Sequence, residues 1–170
     1  DYSSQQIDFP GLTLVKLVGP KKSMGEMTQA CNEVSRGRLI ALVNDDLIFR
    51  TKGWDRLIRE AFDRFPDEIV LGYPNDGYYG RKLSTFPILT KKCCQLLGDI
   101  VPSLYQRHCI DSHLFNIFEK LAALGHRRHL YLPEVLFDHR QDGLNAEFHQ
   151  TLTGDDEDRF QLRKERADLD

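Results

Sequence analysis

The feature that most constrains the fold is Leu39-Ile40-Ala41-Leu42-Val43, an apolar run that stops abruptly at Asn44-Asp45-Asp46. Five apolar residues are too few for an independent helix, and with Arg36-Gly37-Arg38 in front they predict a fully buried strand. In open α/β sheets ligands collect beyond the carboxyl ends of strands, so Asp45 and Asp46 are expected where a substrate sits. Two adjacent carboxylates repel each other, and a divalent cation relieves that repulsion while gaining hard oxygen ligands. The plainer reading is a turn-capping aspartate before Leu47-Ile48-Phe49.

Elsewhere the apolar pattern alternates between strand and helix. Leu12–Val18 is rich in strand formers and ends at Gly19-Pro20, which predicts a first strand. A helix is expected over Ser23–Val34, with Ser23 as cap and Glu26 three residues on. After Gly53, Trp54, Leu57, Ile58, Ala61, Phe62 and Phe65 form a helical stripe ended by Pro66. Glu68–Tyr73 predicts a buried strand, Thr85–Leu89 another, and Lys91–Leu97 a short helix. Asp111–Leu124 is an apolar helix stopped by Gly125, followed by two short strands, His129–Leu132 and Glu134–Phe137, on either side of Pro133. The order implies an α/β fold with a mostly parallel sheet flanked by helices.

With 170 residues, 41% of them hydrophobic, the chain has material for one core. Its net charge of −3 comes from the end: residues 155–170 carry seven acids and four bases, residues 1–154 nineteen of each. A balanced body offers no footprint for nucleic acid and no polybasic face for anionic lipid. No apolar stretch approaches the roughly 20 residues of a membrane span. Cys31, Cys93, Cys94 and Cys109 lack metal-type spacing, which predicts reduced thiols and a cytoplasmic setting. Residues 1–150 are read as one domain and 151–170 as a charged helix or arm, able to pack on a second copy in a homo-oligomer.

Three positions beside the acidic turn suit chemistry. Asp111 opens a helix, where the dipole favours a carboxylate and free N–H groups await a cap, so a capping role accounts for it completely and a catalytic one comes second on local grounds. His139 follows an apolar strand, as Asp46 does, and a neutral imidazole there completes a metal shell begun by a carboxylate. The segment Pro74–Lys82 is a loop by composition; Tyr78, Tyr79, Arg81 and Lys82 suit a sugar or a phosphate, and an ordinary solvated loop explains the individual residues better. Walker-type and dinucleotide-type glycine loops are missing, as is a nucleophile elbow.

The order of these features, from the Met24–Asn32 helix and Gly37 through Asn44-Asp45-Asp46 and Gly53-Trp54 to the Asp111 helix and His139, resembles the GT-A-type glycosyltransferases, particularly glycosyltransferase family 2. The resemblance covers about residues 12–140. It implies a GT-A (nucleotide-diphospho-sugar transferase, Rossmann-like) fold whose first strand is not represented, since the chain starts near the family's second. It also implies that Asp46 and His139 bind Mn²⁺ or Mg²⁺, that Asn44 and Asp45 lie beside the ribose and phosphates of a nucleoside-diphosphate sugar, a UDP-sugar by family analogy, and that Asp111 is the general base. Such an enzyme moves the sugar to an acceptor hydroxyl with inversion, through a base whose place at a helix N-terminus implies a low pKa. The first acidic position of the family's DxD motif is Asn44 here. Two other readings remain open: a non-catalytic glycosyltransferase-like binding module, and a nucleotidyltransferase or metal-dependent phosphohydrolase.

Overall fold

The computed structural model describes residues 10–98 and 100–139. The expected arm at 151–170, and the part of the strand-end loop beyond His139, lie outside the described residues. Within them, helices α1 (Met24–Val34), α2 (Trp54–Phe62), α3 (Lys91–Leu97) and α4 (Ile110–Ala123) accompany five strands. The strands are β1 (Leu39–Ala41), β2 (Leu47–Phe49), β3 (Leu71–Asn75), β4 (Ile88–Thr90) and β5 (His129–His139), in the spatial order β1-β4-β3-β5-β2.

The sheet is mixed, which corrects the expectation of a mostly parallel one. β3 and β5 pair in parallel, while β1 with β4, β3 with β4, and β2 with β5 are antiparallel. The reason lies in the connections. A parallel neighbour needs a long crossover, and α3, α4 and the segments around them provide one between β3 and β5. By contrast β4 returns beside β3 after a loop that contains only a single 3₁₀ turn, Gly80–Lys82.

Side-chain alternation divides the interior between the sheet's faces. On one, Leu71, Tyr73 and Leu89 pack with Leu114 and Phe118 of α4 and with Cys93 and Cys94 of α3. On the other, Val70, Ile88, Leu132 and Phe137 pack with Ile58, Ala61 and Phe62 of α2. Burying each such side chain contributes about 1.5–3 kcal/mol before the entropy of ordering the chain is deducted. The Gly53-Trp54 pair starts α2: Gly53 takes a left-handed φ of 71°, and Trp54 stacks on Phe49 at 4.6 Å and meets the Phe137 ring edge-on at 5.2 Å.

Several elements differ from expectation. Leu12–Val18 forms no strand: it pairs with no described strand, and Leu12 and Val18 are 71% and 72% exposed. The run at 39–43 is not fully buried: β1 ends at Ala41, and Ala41 and Val43 are exposed because β1 lies at the sheet's edge with β4 as its one described neighbour. β3 starts at Leu71 rather than Glu68, whose φ of 61° is incompatible with a strand. The two strands expected around Pro133 are one, β5, in which the partner of β3 jumps from Leu132 to Leu136. α1 begins as expected, with the Ser23 hydroxyl accepting from the Glu26 amide at 3.1 Å and the Glu26 carboxylate accepting from the Ser23 amide at 2.8 Å. No helix among the described residues is long and apolar enough to cross a membrane.

Gly72 sits where a Cβ would strike the ring of Phe62, itself 1% exposed. Gly72→Ala is expected to lower stability by about 1–3 kcal/mol, read as a drop in the urea midpoint at unchanged slope.

Candidate functional site

Strand register brings Asp46 to His139. Leu47 pairs with His139 in the antiparallel β2–β5 ladder, so the residue before Leu47 lies at the same end of the sheet as the imidazole. Asp46 Oδ2 and His139 Nε2 are 3.2 Å apart. The imidazole also meets the ring of Phe86 edge-on, at 5.1 Å between centroids. β2 is held to β5 beyond this point by the Thr51 hydroxyl, which donates to the Glu134 carbonyl and accepts from the Leu136 amide at 3.2 and 2.8 Å. Arg50 adds two hydrogen bonds to Asp138 Oδ2 at 2.8 and 2.7 Å.

The Asp46–His139 separation suits a cation. Ligands about 2.1 Å from an octahedral ion are about 3 Å apart when they are neighbours at right angles, close to the 3.2 Å between Oδ2 and Nε2. A single carboxylate also fits magnesium-type sites, which take few protein ligands and fill the shell with water and phosphate oxygens, whereas the imidazole is a ligand more usual for transition ions. Other features fit less well. His139 Nδ1 is buried with no hydrogen-bond partner, whereas a metal-binding imidazole ordinarily donates that N–H to a second group. Among the described residues no cluster of three or more His, Cys, Asp or Glu side chains is arranged to hold an ion.

Asp111 enters the site from α4. Cys109 caps this helix in a left-handed conformation with φ 62°, so Asp111 is in the first turn rather than at the cap, and its carboxylate accepts from the Ser112 amide at 2.8 Å. Burial pushes its carboxyl above the ordinary carboxylate value. Hydrogen bonds from the Ser112 amide and from Asp111's own amide oppose that shift without cancelling it. This corrects the low pKa implied for a base at a helix N-terminus: desolvation outweighs the helix's favourable field. Asn44 and Asp45 stand exposed on the turn that carries Asp46.

One carboxylate with no place in the sequence-based reading organises this end of the sheet. Asp76, 1% exposed, follows β3. Its Oδ1 accepts from the amides of Tyr78, Tyr79 and Gly80 at 3.0, 2.9 and 2.9 Å, and its Oδ2 from the Thr85 hydroxyl at 2.6 Å. Its carbonyl accepts a long 3.5 Å bond from the His139 amide. At the loop's far end the Ser84 hydroxyl donates to the Asp111 carbonyl at 3.3 Å. One loop therefore touches the backbone of both His139 and Asp111. In the sequence, Asn75-Asp76-Gly77 signals only a turn; the burial that makes Asp76 a hub depends on β3, β4 and β5 having assembled.

Burial raises the Asp76 pKa, but the Thr85 hydroxyl and the three amides outweigh it and hold the carboxyl below the ordinary value. A group depressed in the native state stabilises the fold above its unfolded pKa and ceases to do so as pH falls through its native one. Asp76→Ala, which strands three amides and a hydroxyl, is expected to cost about 3 kcal/mol or more by chemical denaturation. Between neutral pH and the acid side of the carboxylate range, wild-type stability should fall more steeply than that of the variant.

No protein-family profile, no curated protein and no solved structure matches this chain.

Proposed function

We propose that the protein is a metal-dependent glycosyltransferase on a GT-A-like sheet, moving a sugar from a nucleoside-diphosphate sugar to an acceptor hydroxyl with inversion. The observation that carries this reading is the pairing of Asp46 and His139, 3.2 Å apart, beside a loop that accepts from the His139 amide at one end and donates to the Asp111 carbonyl at the other. The three residues come from a turn, a strand end and a helix start at one end of the sheet, as the resemblance implies.

Asp46 and His139 are the residues to hold Mn²⁺ or Mg²⁺, which when bound supplies positive charge for the departing diphosphate. In this reading the exposed Asn44 and Asp45 lie beside the donor's ribose and phosphates, the Asp45 carboxylate accepting from hydroxyls and the Asn44 amide donating to oxygens. Asp111 accepts the proton of the acceptor hydroxyl as that oxygen attacks the anomeric carbon. A carboxyl with a raised pKa is a stronger base than an ordinary one, which suits proton transfer from an alcohol. Single displacement places nucleophile and leaving group on opposite faces of the sugar, so the anomeric configuration inverts.

A second reading, a glycosyltransferase-like module that binds without catalysis, draws on Asn44 in place of an acid and on the missing three-residue ligand cluster among the described residues. That same missing cluster counts against a phosphohydrolase, which needs several further carboxylates around its metal.

Calorimetric titration of UDP, GDP and dTDP in the presence and absence of Mn²⁺ tests the proposal. One nucleotide is expected to bind only with the metal, and Asp46→Ala or His139→Ala should weaken it by at least about tenfold, the lower range for loss of a ligand or its support. Metal-independent binding, or none by any nucleotide, rejects the donor site. If donor turnover is then measured, Asp111→Asn should lower kcat by about 10²–10⁴ with nucleotide affinity unchanged, the range for loss of a general base; unchanged affinity with no turnover in wild type supports the binding module instead.

A further inference from the structure

Tyr78 and Tyr79 are 61% and 50% exposed, whereas Tyr73 and Tyr105 are buried in the core. Two neighbouring rings held in water on a loose loop would be unremarkable, but this loop is fixed. Three consecutive amides, those of Tyr78, Tyr79 and Gly80, converge on one buried carboxylate oxygen of Asp76. The following 3₁₀ turn is fastened as well: the Tyr73 hydroxyl donates to the Arg81 carbonyl at 3.1 Å, and the Arg81 guanidinium lies 5.1 Å from the centre of the Tyr131 ring. The two ends of the loop reach the backbones of His139 and Asp111. The tyrosines therefore ride on a rigid span attached to both sides of the candidate site.

We infer that this span is a carbohydrate-binding platform, on which Tyr78 and Tyr79 stack against the apolar face of a pyranose ring belonging to the acceptor. The name acceptor rests on the transferase reading; the sugar-binding surface does not. Rigid aromatic side chains bind at low entropic cost, and each offers a flat apolar face with a polar tip. A phosphate site fits poorly, because the amides that a turn of this kind would aim at an anion are already turned inward to Asp76. The same amides are unavailable to read the edge of a nucleobase. Arg81 and Lys82, both exposed and two to four positions further along the chain, supply donors to sugar hydroxyls.

The test is a printed glycan array probed with the labelled full chain. Wild type is expected to bind a subset of the glycans. The double variant Tyr78→Ala/Tyr79→Ala should lose at least about fivefold in apparent affinity, because both stacking faces are removed. Tyr78→Phe/Tyr79→Phe, which keeps the stacking faces, should bind to within about threefold of wild type. Both substituted side chains are exposed, and equal thermal midpoints of the variants confirm that the fold is intact. Absence of glycan binding by wild type, an unaffected alanine variant, or displacement of the glycan by inorganic phosphate or uridine overturns the inference. Tyrosine-dependent glycan binding without metal-dependent nucleotide binding would keep the platform and reject the transferase; nucleotide binding with a failed array would do the reverse.

Discussion

A single buried carboxylate, that of Asp76, fixes the end of the sheet on which the candidate site is built. A carboxylate carried out of water is tolerated when nearly all its lone pairs are satisfied, and here three amides and a hydroxyl achieve that. The geometry they impose turns the chain sharply after β3 and returns it as β4 on the antiparallel side. The same residue's carbonyl meets the His139 amide, and the loop's far end meets Asp111. Sheet topology and site geometry thus share one electrostatic anchor. The order of magnitude is favourable because the bonds are charge-assisted and shielded from water, where each is worth more than its exposed counterpart.

The surface ion pairs belong to a different scale. Arg38 with Asp63 and Glu68, and Arg59 with Asp55, join side chains that are a third to more than half exposed. Pairs of that kind contribute about 0–1 kcal/mol each. Arg50–Asp138 differs in position rather than in strength, since its two hydrogen bonds fasten the β2 exit beside the site.

Helices were largely legible in the sequence and strand partners were not. The 3.6-residue stripes and the end signals at Ser23, Gly53 and Gly125 are local, and α1, α2, α3 and α4 stand within a few residues of their expected bounds. Leu12–Val18 has the same apolar, β-branched character as a true strand, yet a strand is a relation between two segments, and no described segment pairs with it in a ladder. Direction of pairing was illegible for the same reason. Asp46 and His139 were singled out because both sit at strand ends, and the structure brings them together through register. Asp76 was hidden, because its residue type signals a turn while its role comes from burial. The direction of the Asp111 shift was misjudged because helix position is visible in a sequence and desolvation is not.

The long strand β5 has a consequence for the order in which the molecule assembles. Its first half runs parallel to β3 and its last residues pair with β2, and Asp46 waits for a histidine 93 positions further along the chain. Contacts that distant are reached only after a large loop has closed, which slows folding. The site exists only where β5 is in place, because β5 carries His139 and covers one edge of β3; a chain that has lost this strand's pairing loses the site and exposes an edge open to unwanted pairing.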